Sequence, residues 1–434
     1  MSEAKAVSVR EAAYHSLWKC RASGKYSNIE IDAAIKRHSF PDADRALFTN
    51  LVYGTIERGI TLDHILAQFS SLPLEEIDPR ILIILELGLY QCYFLDRIPD
   101  HAAVNECCEL AKKFAKAGSV NFVNAILRRA IREKESVHYP DKKSDPISYL
   151  SVKYSFPTWL CEMWSSMYGA ETAEALLAGA SKNPPITIRT NTLLCSREAL
   201  AEKLAAAEIT AVPTPNAPHG LILTGRASFD QLNEIAPGAF FVQDEASQLA
   251  VETLSAQPGE FIIDTCCCPG GKSFGCALNM QNSGSILSCD LHANKLSLVE
   301  KGASRLGISI IETRAADGSK RDDSLFNKAD RVICDVPCSG LGVIAKKPEI
   351  RYKSPEDIAR LPEVQYKILD NVSGYVKQGG VLLYSTCTLN KSENEVVVNR
   401  FLAAHGEFTL DSMRTYFPHI DGCDGFFTAK LIKA

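Results

Sequence analysis

Apolar residues recur at intervals of three and four from about residue 7 to 135, as in Ala12 and Leu17 and in the run Leu47, Leu51, Val52, Ile56. That spacing places one apolar stripe on each of several consecutive helices. Asp42, Asp63 and the loop 96–100 supply the starts and breaks between them. The stretch 138–146 is polar and holds two prolines, which reads as a linker. Helical segments over 157–168 and 171–180 follow it. Then 184–191 alternates like a strand, and 195–235 mixes a helix with short strands. From Gly238 the rhythm changes to strand, helix, strand, with strands expected at 261–265, 285–290, 308–315, 331–336 and 380–387 and helices at 292–306 and 355–376. Alternation of this kind predicts a parallel sheet covered by helices on both faces. Ligands in such sheets bind beyond the carboxyl ends of the strands.

Composition narrows the class without changing this layout. The chain has 434 residues, 46% hydrophobic and 23% charged, with a net charge of −5. Those values belong to a folded multidomain protein rather than a disordered chain or a disulfide scaffold. A net negative field argues against a wholly basic nucleic-acid binder, although it permits a local basic patch. Two such clusters stand out: Lys112, Lys113, Lys116, Arg128, Arg129 and Arg132 on expected helices, and Lys346, Lys347, Arg351 and Lys353 after a cysteine loop. Each reads either as a solvated face or as a set of phosphate contacts. The apolar stretch 81–95 contains Glu86 and is too short to span a bilayer, and the N-terminal segment lacks an apolar export core. A cytoplasmic protein is expected. Its fifteen cysteines then read as reduced thiols, with no CxxC pair to suggest structural zinc.

Each expected strand of the second half ends in polar or reactive groups. The first runs into Asp264-Thr-Cys-Cys-Cys-Pro-Gly-Gly-Lys272. Paired glycines between a strand and a helix let a ligand approach the backbone, with the helix N-terminus aimed at it. A phosphate-binding P-loop fails because its first glycine would fall at Cys266, and the dinucleotide G-x-G-x-x-G pattern is also absent. A different nucleotide-like cofactor remains. Asp290 ends the next strand, where an acid can accept from ribose hydroxyls. Asp317 follows the third. Asp335-Val-Pro-Cys338 and Ser385-Thr-Cys387 end the fourth and fifth, bringing two thiols and a carboxylate toward one crevice. Any one of these groups could be a turn or packing residue; the pair of cysteines shifts the reading towards covalent catalysis.

Together these motifs resemble the RNA cytosine-C5 methyltransferases of the RsmB (Sun) family. Nearly the whole chain takes part, since Asp44-Arg45, Leu51-Val-Tyr-Gly54, Ala103-Val-Asn-Glu106 and Phe122-Val-Asn-Ala-Ile-Leu-Arg128 look like the NusB-type domain of that family. Ile188-Arg-Thr-Asn191, Phe241-Val-Gln-Asp-Glu-Ala-Ser247 and Asp424-Gly-Phe-Phe-Thr-Ala-Lys430 are further family-like pieces. The resemblance implies an all-α NusB-like RNA-binding domain over 1–137, a linker over 138–149, a small α+β connecting unit over 150–237 and a Rossmann-like α/β methyltransferase domain over 238–434. It implies S-adenosylmethionine as cofactor, held by Cys266, Cys267, Cys268, Pro269, Gly270, Gly271 and Lys272 at its methionine and ribose, by Asp290 at the ribose hydroxyls and by Asp317 at the adenine. Asp335 would lie beside the methyl group and target base, Cys387 would be the nucleophile, and Cys338 would assist product release. The implied partner is 16S ribosomal RNA, free or partly assembled, acted on by a monomer without metal or membrane. Cys267 and Cys268 stand where the family usually has alanines, and Thr388-Leu-Asn390 replaces its commoner Ser-Val-Leu. Two alternatives stay open: methylation of transfer RNA or another ribosomal site, and a NusB-like RNA-binding or transcription factor with an inactive methyltransferase domain.

Overall fold

The computed structural model describes residues 7–24, 26–116, 118–182, 184–224 and 228–434. Contacts divide the chain into two compact units, Met1–Lys182 with Ile344–Lys353, and Asn183–Val343 with Ser354–Ala434. The division therefore falls inside the segment 150–237 that the sequence reading treated as one unit.

The first unit is helical. Its central helix, Pro79–Phe94, is the apolar stretch noted above, started by Asp78, whose side chain accepts from the Arg80 N–H, and by Pro79 at the first position. Ile83, Ile84, Leu85, Leu87 and Leu89 are buried there and pack with Phe48, Leu51 and Leu127 from other helices. Glu86 is also fully buried, on that same helix, and pairs with Arg21. Burial pushes its carboxyl up to about 8, against the opposing pull of Arg21 and with Asp63 adding to the rise. A carboxyl raised above its unfolded value stabilises fully below about pH 4.5 and loses that contribution as pH climbs through about 8. Urea titrations of Glu86→Gln should therefore show a flatter pH dependence between those values than the parent; an unchanged slope would remove Glu86 from the account.

Four members of the late basic cluster are ion-paired locally, Lys112 with Glu109, Lys113 with Glu11, and both Arg129 and Arg132 with the one carboxylate of Glu133. The segment Ile344–Lys353 corrects one expectation. Arg351 is 1% exposed, so it contacts no phosphate. Its guanidinium donates to the carbonyls of Glu57 at 2.6 Å and Ser155 at 2.9 Å and lies over the Phe156 ring. Glu349 accepts from the N–H and hydroxyl of Ser27 at the start of the helix Ser27–His38. Lys347 stays exposed, its ammonium 5.5 Å from the centre of the Tyr26 ring.

The second unit contains two sheets. Strands β1 (Ile186–Thr190), β2 (Thr210–Pro213), β3 (Gly220–Thr224) and β4 (Phe240–Val242) form an antiparallel sheet in the order β2-β3-β1-β4. The larger sheet comprises β5 (Phe261–Asp264), β6 (Ser285–Asp290), β7 (Ile311–Ala315), β8 (Ala329–Asp335), β9 (Val376–Thr386), β10 (Phe408–Tyr416) and β11 (Phe426–Lys433), ordered β10-β11-β9-β8-β5-β6-β7. β5 to β9 are mutually parallel, whereas β11 runs antiparallel to β9 and to β10. The sheet is thus mixed, not purely parallel. Side chains alternate between two cores: Ile262, Ile333 and Leu383 enter one, and Ile263, Val332 and Leu382 the other. That period of two is what a sheet covered on both faces requires.

The Ile188-Arg-Thr-Asn191 motif joins the two sheets. Buried Arg189 donates to Glu252 at 2.7 Å and to Asn279 at 2.8 Å, while the Asn191 amide donates to the carbonyls of Gly238 and Leu306. Among the described residues, no helix is long and apolar enough to cross a membrane.

Candidate active site

Strand order reverses at β5, with β6 on one side and β8 on the other, so a crevice opens beyond the carboxyl ends of these strands. Asp264 closes β5 and is 1% exposed. Its Oδ2 accepts from the Ser273 hydroxyl at 2.6 Å, and its Oδ1 has no hydrogen-bond partner among the described residues. Burial pushes this carboxyl up to about 7 despite the Ser273 bond. The following loop is tied to both neighbouring strands, by the Thr265 N–H to the Ile333 carbonyl and the Cys267 N–H to that of Cys289. Gly270 turns the chain at φ +110°, where a side chain would meet the Phe274 ring at 2.5 Å. The helix Gly271–Asn279 then begins without a side-chain cap, at the terminus where a helix's first N–H groups have no partner within it. Burial raises the thiols of Cys266, Cys267 and Cys268, the last to about 11, so all three act as small neutral residues.

Asp290 ends β6, and its Oδ1 accepts from the His292 N–H at 2.8 Å. Asp317, beyond β7, accepts from the hydroxyl and N–H of Ser319 at 2.7 and 3.0 Å; those bonds hold its carboxyl below the usual range. A turned loop leading into an uncapped helix N-terminus, with acids at the next two strand ends, fits a ligand carrying a nucleoside and a charged tail.

Lys272 reaches from the glycine loop to the end of β8, where its ammonium donates to Asp335 Oδ2 at 2.7 Å. Burial alone would lower this ammonium, but the Asp335 charge and hydrogen bond more than offset it, with Cys387 also contributing. Asp335 Oδ1 accepts from the Ser385 hydroxyl on β9 at 2.7 Å. Three residues beyond Asp335, Cys338 lies with its Sγ 3.2 Å from that of Cys387. The hydrogen bond to Cys387, then burial, push the Cys338 thiol well above its ordinary value. Either sulfur can donate in this contact.

Two glycines make this approach possible. The Gly342 N–H donates to the Cys387 carbonyl at 3.0 Å, and the Gly425 N–H donates to the Gly342 carbonyl at 2.9 Å. A Cβ on Gly342 would lie 1.8 Å from the Gly425 oxygen. Gly342→Ala should destabilise the protein by about 1–3 kcal/mol in urea unfolding; an unchanged midpoint would show that the turn yields freely.

The structure brings together Lys272, Asp335, Cys338 and Cys387, and it places Cys266 to Gly271, Asp290 and Asp317 along the same strand ends. Sequence reasoning missed the Lys272–Asp335 pairing, the Ser385 bond and the polar cluster of Gln365, Asn390 and Glu393 behind Cys338. Only Ser385 left a signal: two positions before Cys387, it shares a strand face with it.

Three family models cover most of the chain: the NusB family at residues 7–132, the RsmF/B-like ferredoxin-like domain at 156–230 and the 16S rRNA methyltransferase RsmB/F at 251–432. A Bacillus subtilis protein described as a probable ribosomal RNA small subunit methyltransferase B is 36% identical, covering 99% of both chains. The ribosomal RNA small subunit methyltransferase B of Thermus thermophilus is 33% identical over 94% of both chains. Among solved structures, PH0851 superposes with a TM-score of 0.83 at 25% identity, covering 97% of this chain and 98% of that one. Full-length identity to such relatives, together with this crevice, makes the chain a member of the RsmB/F family of 16S rRNA methyltransferases.

Proposed function

We propose that this protein transfers a methyl group from S-adenosylmethionine to carbon 5 of a cytosine in small-subunit ribosomal RNA, through a covalent bond between Cys387 and carbon 6. The observation that carries the reading is the 3.2 Å approach of two thiols from separate strand ends. The names of the full-length relatives support the RNA class.

The loop Cys266 to Lys272 would hold the methionine and ribose of the cofactor, Asp290 the ribose hydroxyls and Asp317 the adenine. When bound, that cofactor supplies an electrophilic methyl group. Carbon 5 of cytosine is a poor nucleophile until something adds at carbon 6. Cys387 supplies that addition, and the Lys272 ammonium within electrostatic reach favours its thiolate form. Asp335, oriented by Lys272 and Ser385, would accept from the N4 amino group and hold the ring's edge, while the Lys272 ammonium paired with it would offset the negative charge that develops there. Carbon 5 then gives its proton to water, the C–H electron pair forms the C5–C6 double bond, and the sulfur–carbon 6 bond breaks so that Cys387 leaves as thiolate. The Cys338 S–H is placed to donate to that departing sulfur. The target base must stand outside a helical stack for its ring to be reached from the thiol side and the cofactor side together.

The helical unit and the small antiparallel sheet are assigned to RNA binding. Bisulfite sequencing of small-subunit RNA from a strain lacking the gene tests the substrate. One cytosine should lose its 5-methyl mark; an unchanged methylation pattern contradicts the reading.

A further inference from the structure

We propose that Glu393 is a positioning residue that locks the Cys338 turn against the Cys387 turn and divides their roles between hydrogen-bond donor and nucleophile. This rests on the methyl-transfer reading above. Glu393 lies six residues beyond Cys387 in the polar run Asn390-Lys-Ser-Glu-Asn-Glu395, which carries no catalytic signal in sequence. In the fold it is fully buried.

Its carboxylate organises both turns. Glu393 Oε2 accepts from the Ser339 N–H at 2.8 Å and from the Gln365 amide at 2.8 Å, and Oε1 accepts from the Asn390 amide at 3.0 Å. The same Gln365 amide donates to the Pro337 carbonyl at 3.0 Å. The two peptide groups flanking Cys338 are thus held, one directly by Glu393 and one through Gln365. On the opposite side, the Ser339 and Thr388 hydroxyls lie 2.6 Å apart, and Thr388 adjoins Cys387. The Asn394 amide donates to the Thr388 carbonyl at 2.9 Å, and the Thr386 hydroxyl donates to Asn394 Oδ1 at 2.6 Å. Both peptide groups flanking Cys338, and the Thr386 and Thr388 residues on either side of Cys387, are therefore anchored to the 390–394 segment or to its partners.

The charge of this carboxylate supplies the second half of the role. The groups that bear on Cys338 are Cys387, Glu393 and Asp335, all anionic when ionised. The nearby cation, Lys272, bears instead on Cys387 and Asp335. Glu393 adds to the rise of the Cys338 thiol, after the hydrogen bond to Cys387 and burial, whereas Cys387 contributes to holding the Lys272 ammonium, so the two thiols stand in unequal surroundings. Identical side chains 3.2 Å apart then have different jobs.

The test compares the full-length protein with Glu393→Gln by iodoacetamide labelling over a range of pH, with each thiol read separately by peptide mass spectrometry. Cys387 should label first in the parent. In Glu393→Gln, labelling of Cys338 should accelerate by about tenfold and move to lower pH, while the Cys387 rate and cofactor affinity stay unchanged. Unchanged Cys338 labelling, or equal acceleration of both thiols, overturns the proposal. If Glu393→Gln fails to fold, Gln365→Met decides it, because that change keeps the carboxylate and removes only the donor to Pro337 and Glu393. The protein–RNA adduct should then break down about tenfold more slowly, and an unchanged lifetime overturns the proposal. A parent that forms no RNA adduct at all contradicts the methyl-transfer reading instead, and the labelling arm, which needs no RNA, still judges Glu393.

Discussion

Cys387→Ala is expected to lose methyl transfer by at least about 10⁴-fold while binding S-adenosylmethionine as tightly as the parent. The size of the loss follows from the chemistry of the base. Without addition at carbon 6, carbon 5 lacks the electron density to attack a methyl group, so no partial mechanism remains. Cys338 is not expected to substitute, because burial and the acids around it still hold its thiol above the ordinary value when Cys387 is gone. Cofactor binding should survive because the residues assigned to it lie at the ends of β5, β6 and β7, whereas Cys387 follows β9. Labelled methyl incorporation and calorimetric binding, run on the same preparation, check both halves. Activity within about tenfold of the parent would remove Cys387 from the nucleophile's role.

Cys338→Ala is expected to produce the opposite phenotype, a protein that starts the reaction and does not finish it. The Cys338 sulfur lies 3.2 Å from the sulfur proposed to leave, within reach to donate to it. A hydrogen bond to a charged group contributes about 1.5–3 kcal/mol, which corresponds to a breakdown rate slower by about 10- to 100-fold. The adduct should accumulate as a slowly migrating protein–RNA band on denaturing gels. The band should vanish in the double variant Cys338→Ala/Cys387→Ala, since the proposed bond to RNA is made through Cys387. No band from the single variant, with turnover near normal, would show that release does not depend on Cys338.

Much of the catalytic sheet was legible because its strands are short apolar runs that end in a polar or reactive group. β6 occupies Ser285–Asp290, the span that alternation and the terminal Asp indicated, and the helix after it begins at Ala293 within one residue of the expected start. The last two strands were not legible. β10 is exposed at most positions, with Thr409, Asp411, Ser412 and Arg414 among them, so neither an apolar run nor alternation marks it. β11 is antiparallel to the strand it joins, a direction no local pattern encodes.

The site divided along similar lines. Asp264, Asp290, Asp335 and the two cysteines announced themselves by standing at strand ends. Lys272 was read with the glycines beside it, but its side chain crosses to Asp335, a partner 63 positions away. Arg351 sits in a lysine-rich, polar stretch that looks like a solvated loop. Its burial depends on the carbonyls of Glu57 and Ser155, separated from it by 294 and 196 positions. Glu393 looked like loop polarity for the same reason: local composition records charge and says nothing about which distant N–H groups surround it.

The central claim is that the methyl group arrives on carbon 5 of a cytosine, and tritium release measures it directly. Small-subunit RNA carrying [5-³H]cytosine is incubated with the protein and S-adenosylmethionine, and tritium in water is compared with methyl groups incorporated. One tritium should be released per methyl transferred, with none released by Cys387→Ala. Methyl incorporation without tritium release would place the methyl on another atom and contradict the account.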